Sequence, residues 1–359
     1  MQFPIRIGVF WSKPARRWIG LALVSLPLAF ILRQAGFNAG FLVGPMVAAI
    51  GFGVGDSRLT VSRPVFVGAQ AIIGLLVARS LTGPILASVE QDWAPMLLAV
   101  ATTVAAGAVV GWVLARSRVL PGSTAAWGSV PGAASVMVAL SAEYGADFRM
   151  VGFMTYLRLI LVVLTASLVA QFLGGDEYGL AAPRIVPPLF AAVSPVDLIE
   201  TLAIALFGAL IGWRLRVPAG ALLLPMILGA ALQGSGLIEI TLPPWLLAIT
   251  YTALGWYIGL GFNRDLLVYA LRAIPKLLLA SAMLIGLCAL SAWLLTWLLG
   301  ISALTAYLAT SPGGLDSVAI IVVGSHADIP FVLAVQTLRL FTVILAGPPI
   351  AKLIARTAR

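Results

Sequence analysis

The chain has 359 residues, of which 61% are hydrophobic and only 10% charged, and its mean hydropathy is +1.07. A soluble domain carries roughly 25% charged residues, so this composition excludes a water-facing globular protein and makes the lipid bilayer its expected surroundings. The formal net charge of +9 comes from short basic clusters between apolar stretches, the pattern of cytoplasmic membrane loops, and no direct nucleic-acid partner is expected.

In chain order, the first element follows four basic residues, Arg6, Lys13, Arg16 and Arg17. The run LALVSLPLAF then leads to Leu32-Arg33-Gln34 without a small-residue cleavage site, which predicts an uncleaved first helix. Apolar segments follow at 39–55, 64–83, 94–115, 121–145 and 149–173, after a first at 18–33. The second half gives 197–213, 218–235, 244–262, 277–299, 303–325 and 329–351. The whole chain, 1–359, reads as one polytopic membrane domain, with repeat one at 18–173 and repeat two at 197–351.

Two segments carry Pro and Gly in mid-course, at Val130-Pro131-Gly132 and Ser311-Pro312-Gly313. Proline lacks an N–H and clashes with the preceding turn, so neither segment is expected to be one continuous helix. Interrupted backbone at membrane depth survives only where protein or a water-filled cavity satisfies it. The basic clusters bear on how these segments run. If all twelve segments crossed, Arg214, Arg216, Arg264, Arg272 and Lys276 would lie outside. If each Pro-Gly segment enters and returns, or fails in some other way to complete a crossing, each half has five crossings. Those clusters and both termini then fall in the cytoplasm. An odd number of crossings per half inverts the halves relative to each other. The fold expected is therefore an all-α integral membrane protein of two inverted repeats.

The repeat is legible directly. PGAASVMVALSAEYGADFRMVGFMTYLRL aligns without a gap on PGGLDSVAIIVVGSHADIPFVLAVQTLRL, pairing Pro131 with Pro312, Asp147 with Asp328 and Arg158 with Arg339. Upstream, Thr124 pairs with Thr305, Gly74 with Gly255, and the run from Ala39 to Met46 with that from Ala219 to Met226. Breaks at matching positions of two inverted repeats mark a transporter's binding site, and a helix starting at such a break favours an anion.

The candidate binding residues are Ser129, Pro131, Gly132, Ser135, Ser311, Pro312, Gly313, Gly314, Asp316, Gln336, Arg158 and Arg339. The two arginines stand about 15 Å into apolar helices, where a charge is costly and faces a cavity or a partner. They bind an anionic substrate, partner coupling carboxylates, or staple their helices to carbonyls freed by the break in the other half. Gln336 and Tyr156, just ahead of them, are expected to complete the polar face. Asp316 is either a cation or proton site or a helix cap, and Asp147 and Asp328 are either caps or gate residues that couple an ion. Cys288 and His326 are the sole cysteine and histidine, which excludes a disulfide framework and a Cys/His zinc site. No cofactor, no metal and no enzymatic activity are expected.

The paired signatures PGAAS…GAD…LRL and SPGGLDS…HAD…QTLRL resemble the AbrB-duplication family of bacterial membrane proteins over nearly the whole chain. Members carry the labels ammonia monooxygenase or transcriptional regulator. The architecture is similar to the superfamily of cation:proton antiporters and anion transporters. The resemblance implies a bacterial inner-membrane secondary transporter. The residues point to a small organic anion coupled to H⁺ or Na⁺, in a chain that forms a homo-oligomer or acts alone. A membrane sensor that signals through a partner is the second expectation, and a membrane enzyme the third.

Overall fold

The computed structural model describes residues 14–34, 40–55, 57–80, 90, 92–173, 189–190, 193–215, 219–314 and 327–357. Among them are thirteen helices and no strand. In the first half these are α1 (Pro14–Gln34), α2 (Gly40–Val54), α3 (Arg63–Arg79), α4 (Trp93–Arg116), α5 (Gly122–Ser129), α6 (Ala134–Glu143) and α7 (Phe148–Leu173). In the second they are α8 (Pro195–Arg214), α9 (Gly220–Gly234), α10 (Pro244–Leu260), α11 (Arg264–Leu299), α12 (Ala303–Thr310) and α13 (Ile329–Thr357). Six helices are long and apolar enough to cross a membrane: α1, α4, α7, α8, α11 and α13. Large apolar side chains such as Ile199, Phe207, Trp213 and Leu23 stand exposed on them, which lipid tolerates and water would not. The chain is a multi-pass membrane protein.

Local chemistry sets the helix ends. Ser194 accepts a hydrogen bond from the Asp197 N–H, with Pro195 in the first position of α8. The Asn263 side-chain Oδ1 accepts from Leu266 N–H at 2.8 Å to start α11, and Gly300, at φ 68°, ends it. α11 begins thirteen residues before the predicted span at 277, running through Pro275 for 36 residues in all. Its early charged turns need no place in hydrocarbon, so hydropathy alone does not reveal them.

Both Pro-Gly segments break as expected. α5 stops at Ser129 and α6 resumes at Ala134, while α12 stops at Thr310. A matched pair of bonds ties their ends together. The Asp147 N–H donates to Thr124 Oγ1 at 3.1 Å, and the Asp328 N–H donates to Thr305 Oγ1 at 2.9 Å. Each bond ties the turn after the segment to the first turn of the helix that opened it. Asp147 thus lies beside the first turn of α5, and Asp328 beside the first turn of α12.

The helices sort into two bundles, each drawing on both halves. In one, α2 packs on α1 and α10, α9 packs on α3 and α8, and α3 also meets α8 and α10. In the other, α4 packs on α5, α11 and α13, while α7 packs on α5, α6 and α11, and α12 lies against α11 and α13. Two glycines at matched positions permit close approaches in the first bundle. A Cβ on Gly74 would sit 2.3 Å from the Leu222 carbonyl oxygen, and one on Gly255 would sit 2.5 Å from that of Leu42. The bundles meet where α3 touches α6 and α10 touches α7. There Tyr257 stacks between Phe66 and Phe148, at 4.0 and 4.6 Å between ring centroids. Arg149 Nη1 donates to the Gly261 carbonyl at 2.8 Å, and Gln70 Nε2 donates to the Ala139 carbonyl at 3.5 Å.

Candidate functional site at the paired helix breaks

A half-helix that stops inside a protein leaves its last carbonyls without intrahelical donors. At the end of α5 these belong to Gly128, Ser129 and Val130. Arg158 Nη1 donates to all three, at 3.1, 3.0 and 3.5 Å. The guanidinium thus caps the negative end of the half-helix, where a cation is favoured. Pro131 and Gly132 are buried in the turn, which the Gly132 N–H closes onto the Val130 carbonyl. α4 approaches the turn through Gly107, where a Cβ would fall 2.5 Å from Pro131 Cδ. α6 then starts from Ala133, whose side chain cannot cap, so the first N–H groups of α6 lie beside the break with Ser135 buried in the first turn.

The second half solves the same problem with two side chains. Arg339 Nη1 donates to the Ser311 carbonyl at 2.7 Å and Nη2 to the Gly313 carbonyl at 2.8 Å. Gln336 Nε2 donates to the carbonyls of Leu308, Ala309 and Ser311 at 2.9, 3.4 and 3.3 Å, while its Oε1 accepts from Arg339 Nη2. Pro312 is buried and Gly314 half-buried. The bracing is within each half: Arg158 holds the break of half one and Arg339 that of half two. This corrects the one alternative in which each arginine staples to carbonyls of the opposite half. The reason is connective, since α7 and α13 follow their own broken segments and pack directly on α5 and α12. The polar partner of Arg339 is Gln336, one turn earlier on its face. An ungapped match pairs Gln336 with Thr155, whose hydroxyl is turned back onto the Val151 and Gly152 carbonyls. Tyr156 is buried, two residues from Arg158 and off that face.

The two breaks converge on the middle of α11. Arg158 lies within Coulombic reach of Arg339, and both lie within reach of Cys288. The Cys288 backbone carbonyl accepts from Thr310 Oγ1 at 3.1 Å, which ties α11 to the end of α12. Both guanidinium groups are about 2% exposed. Among the described residues neither bonds to a carboxylate, and the partners of both are carbonyl and amide oxygens. Several donors around them are also unused. Ser129 Oγ, Ser311 Oγ and Arg339 Nε are buried with no hydrogen-bond partner. A buried polar group left unpaired costs about 1–3 kcal/mol, and here two free hydroxyls stand beside two guanidinium groups, one of which has a free N–H of its own. Among the described residues no three His, Cys, Asp or Glu side chains converge as a metal site would need.

Asp147 and Asp328 lie away from this centre. Asp147 Oδ1 accepts from the Arg149 N–H, and both its oxygens pair with the Arg149 guanidinium at 2.9 Å. Asp328 Oδ1 accepts from the Phe331 N–H at 3.0 Å and caps α13. Asp316 and His326 lie outside the described residues. Sequence reasoning assigned no role to Thr124 and Thr305, although each stands 23 residues before its aspartate, and that shared spacing was the available signal. It also passed over Gln70, a fully buried amide on α3 whose Oε1 has no partner.

The chain is 45% identical over 345 residues to the protein named "Putative regulator AbrB" of Escherichia coli (strain K12), covering 96% of this chain and 98% of that one. It is 27% identical over 351 residues to "Uncharacterized protein YhjN" of Bacillus subtilis (strain 168), covering 92% and 91%. The model of the family described as "Transition state regulatory protein AbrB" matches residues 41–355. With a family match across nearly its full length, the chain belongs to the AbrB family.

Proposed function

We propose that this protein is a secondary transporter of a small organic anion, coupled to H⁺ or Na⁺, in the bacterial inner membrane. The observation that carries the reading is the cationic centre: two buried arginines and unpaired hydroxyls at paired helix breaks, with no carboxylate bonded to them among the described residues. An anion entering there gains charge-assisted hydrogen bonds in a dry setting, which are roughly twice as strong as neutral ones.

The inverted arrangement of the two halves belongs to the same reading. Segments that turn back leave five crossings per half, and an odd number inverts the second half. Interhelical contacts support it. Gly74 of half one meets Leu222 of half two, and Gly255 of half two meets Leu42 of half one, so matched residues exchange roles. Residues assigned to one membrane side touch each other: Arg17 donates to the Ser57 carbonyl and Tyr269 to that of Val119, while Gly122 abuts Ala355. The positive-inside rule, applied to the basic termini, supports a cytoplasmic assignment for that side. In this mechanism the bundle holding both breaks moves against the other across the Tyr257 stack, exposing the arginine centre to each side in turn.

The name of the Escherichia coli relative favours a second reading, a membrane sensor that binds the same kind of ligand and signals through a soluble partner.

The test is thermal unfolding of the purified protein in detergent with small carboxylates, sulfonates and amines, with and without Na⁺, at two pH values. A ligand present at 100 times its Kd stabilises the folded state by about 2.7 kcal/mol. Stabilisation by an anion, followed by its uptake into proteoliposomes, is the expected result. An anion that binds without being carried, together with recovery of a stoichiometric soluble partner, selects the sensor. Stabilisation by amines alone overturns both.

A further inference from the structure

The end of α11 that hydropathy missed has a chemistry of its own. A 36-residue helix is about 54 Å long, whereas the hydrocarbon core is about 30 Å thick. Trp293 and Trp297, stacked and 62% and 71% exposed, mark the interfacial level near its far end. The excess length therefore projects at the near end, ahead of Pro275. Arg272 and Lys276, on either side of that proline, are exposed, and Val268 and Leu271 are exposed beside them.

Two other helix ends join this one. Tyr269 OH donates to the Val119 carbonyl just past α4, bringing Arg116 and Arg118 alongside. Gly111 and Gly122 pack on Ile354 and Ala355 of α13, bringing Lys352 and Arg356 to the same end. All six cations are exposed, and Asp265 is the one acidic residue on these three helix ends. Leu353, 62% exposed, lies next to Lys352. Cations rimming exposed apolar side chains at the depth where the helices leave the hydrocarbon match a ligand with a charged head and greasy tails.

We infer that this rim is a binding site for anionic phospholipid. The occupant is a membrane lipid rather than a free phosphate, because the apolar side chains between the cations offer a soluble anion nothing. Each basic residue near a charged leaflet contributes enough that removing three weakens association by about 100-fold.

The experiment uses the full-length protein in neutral detergent, titrated with phosphatidylglycerol, phosphatidylcholine or glycerol phosphate, with thermal unfolding and native mass spectrometry as readouts. The expected result is stabilisation and retained adducts with phosphatidylglycerol alone, weakening as salt is raised. Arg272→Gln/Lys276→Gln/Lys352→Gln then loses the effect while unfolding normally in phosphatidylcholine. Equal responses to the two lipids, a response to glycerol phosphate alone, or a variant that keeps the preference would overturn the inference. If the triple variant fails to fold, the lipid preference and salt dependence of the native chain decide.

Discussion

Arg158 directs a single nitrogen, Nη1, at three carbonyls, whereas Arg339 divides two nitrogens among Ser311, Gly313 and Gln336. Hydrogen bonds to a charged group contribute about 1.5–3 kcal/mol each. Arg339→Leu should therefore lower the unfolding temperature in detergent more than Arg158→Leu does, and Arg339→Lys should not restore it, since an ammonium cannot span both carbonyls and the amide. Equal losses in the two leucine variants would count against the difference in bracing. The orphan hydroxyls separate binding from folding. Ser129→Ala and Ser311→Ala remove groups that have no partner, so stability should stay level or rise by up to about 1 kcal/mol while anion affinity falls about tenfold. Unchanged affinity in both variants would detach the hydroxyls from the site.

The helices were largely legible, because long apolar runs bounded by basic residues have few alternatives in lipid. The breaks were legible too, since Pro131 and Pro312 forbid a continuous helix. The destination of each arginine was not: periodicity places Arg158 on a face but does not say which carbonyls face it. The start of α11 was missed because hydropathy cannot see a helix that continues past the hydrocarbon. That each Pro-Gly segment fails to complete a crossing was an expectation from a charge count alone, and the threonine–aspartate bonds add that the two ends of each segment lie together. That geometry predicts labelling. In sealed vesicles a membrane-impermeant thiol reagent should reach Ser117→Cys and Glu143→Cys from one side and Ser302→Cys from the other. Native Cys288, 1% exposed, should stay silent. Labelling of residues 117 and 143 from opposite sides would mean that the segment between them crosses. Close packing gives a further test at this scale. Gly74→Ala and Gly255→Ala press a methyl against backbone that cannot rotate away, and each should destabilise by about 1–3 kcal/mol. A neutral result in thermal unfolding would show that α3 and α9, or α2 and α10, do not approach as closely as described.

Each bundle is assembled from both halves of the chain, and this bears on how the protein can be made. α2 needs α10, α3 needs α9, and α4 needs α13 in addition to any neighbour in sequence, so the early helices complete their packing only with partners from the second half. During synthesis the first half must wait in the bilayer with Gly74 and Leu42 facing lipid until more than a hundred further residues have been inserted. A half expressed alone should be degraded or captured by membrane chaperones, while two fragments divided at residue 183 and produced together should find each other. The break carbonyls meet a different schedule, because each arginine follows its own broken segment within one insertion event. The most polar part of the membrane interior is thus sealed locally and early, and the greasy surfaces are matched late. A newborn chain stalled halfway would expose apolar faces to lipid, where they do no harm, rather than bare carbonyls, which would.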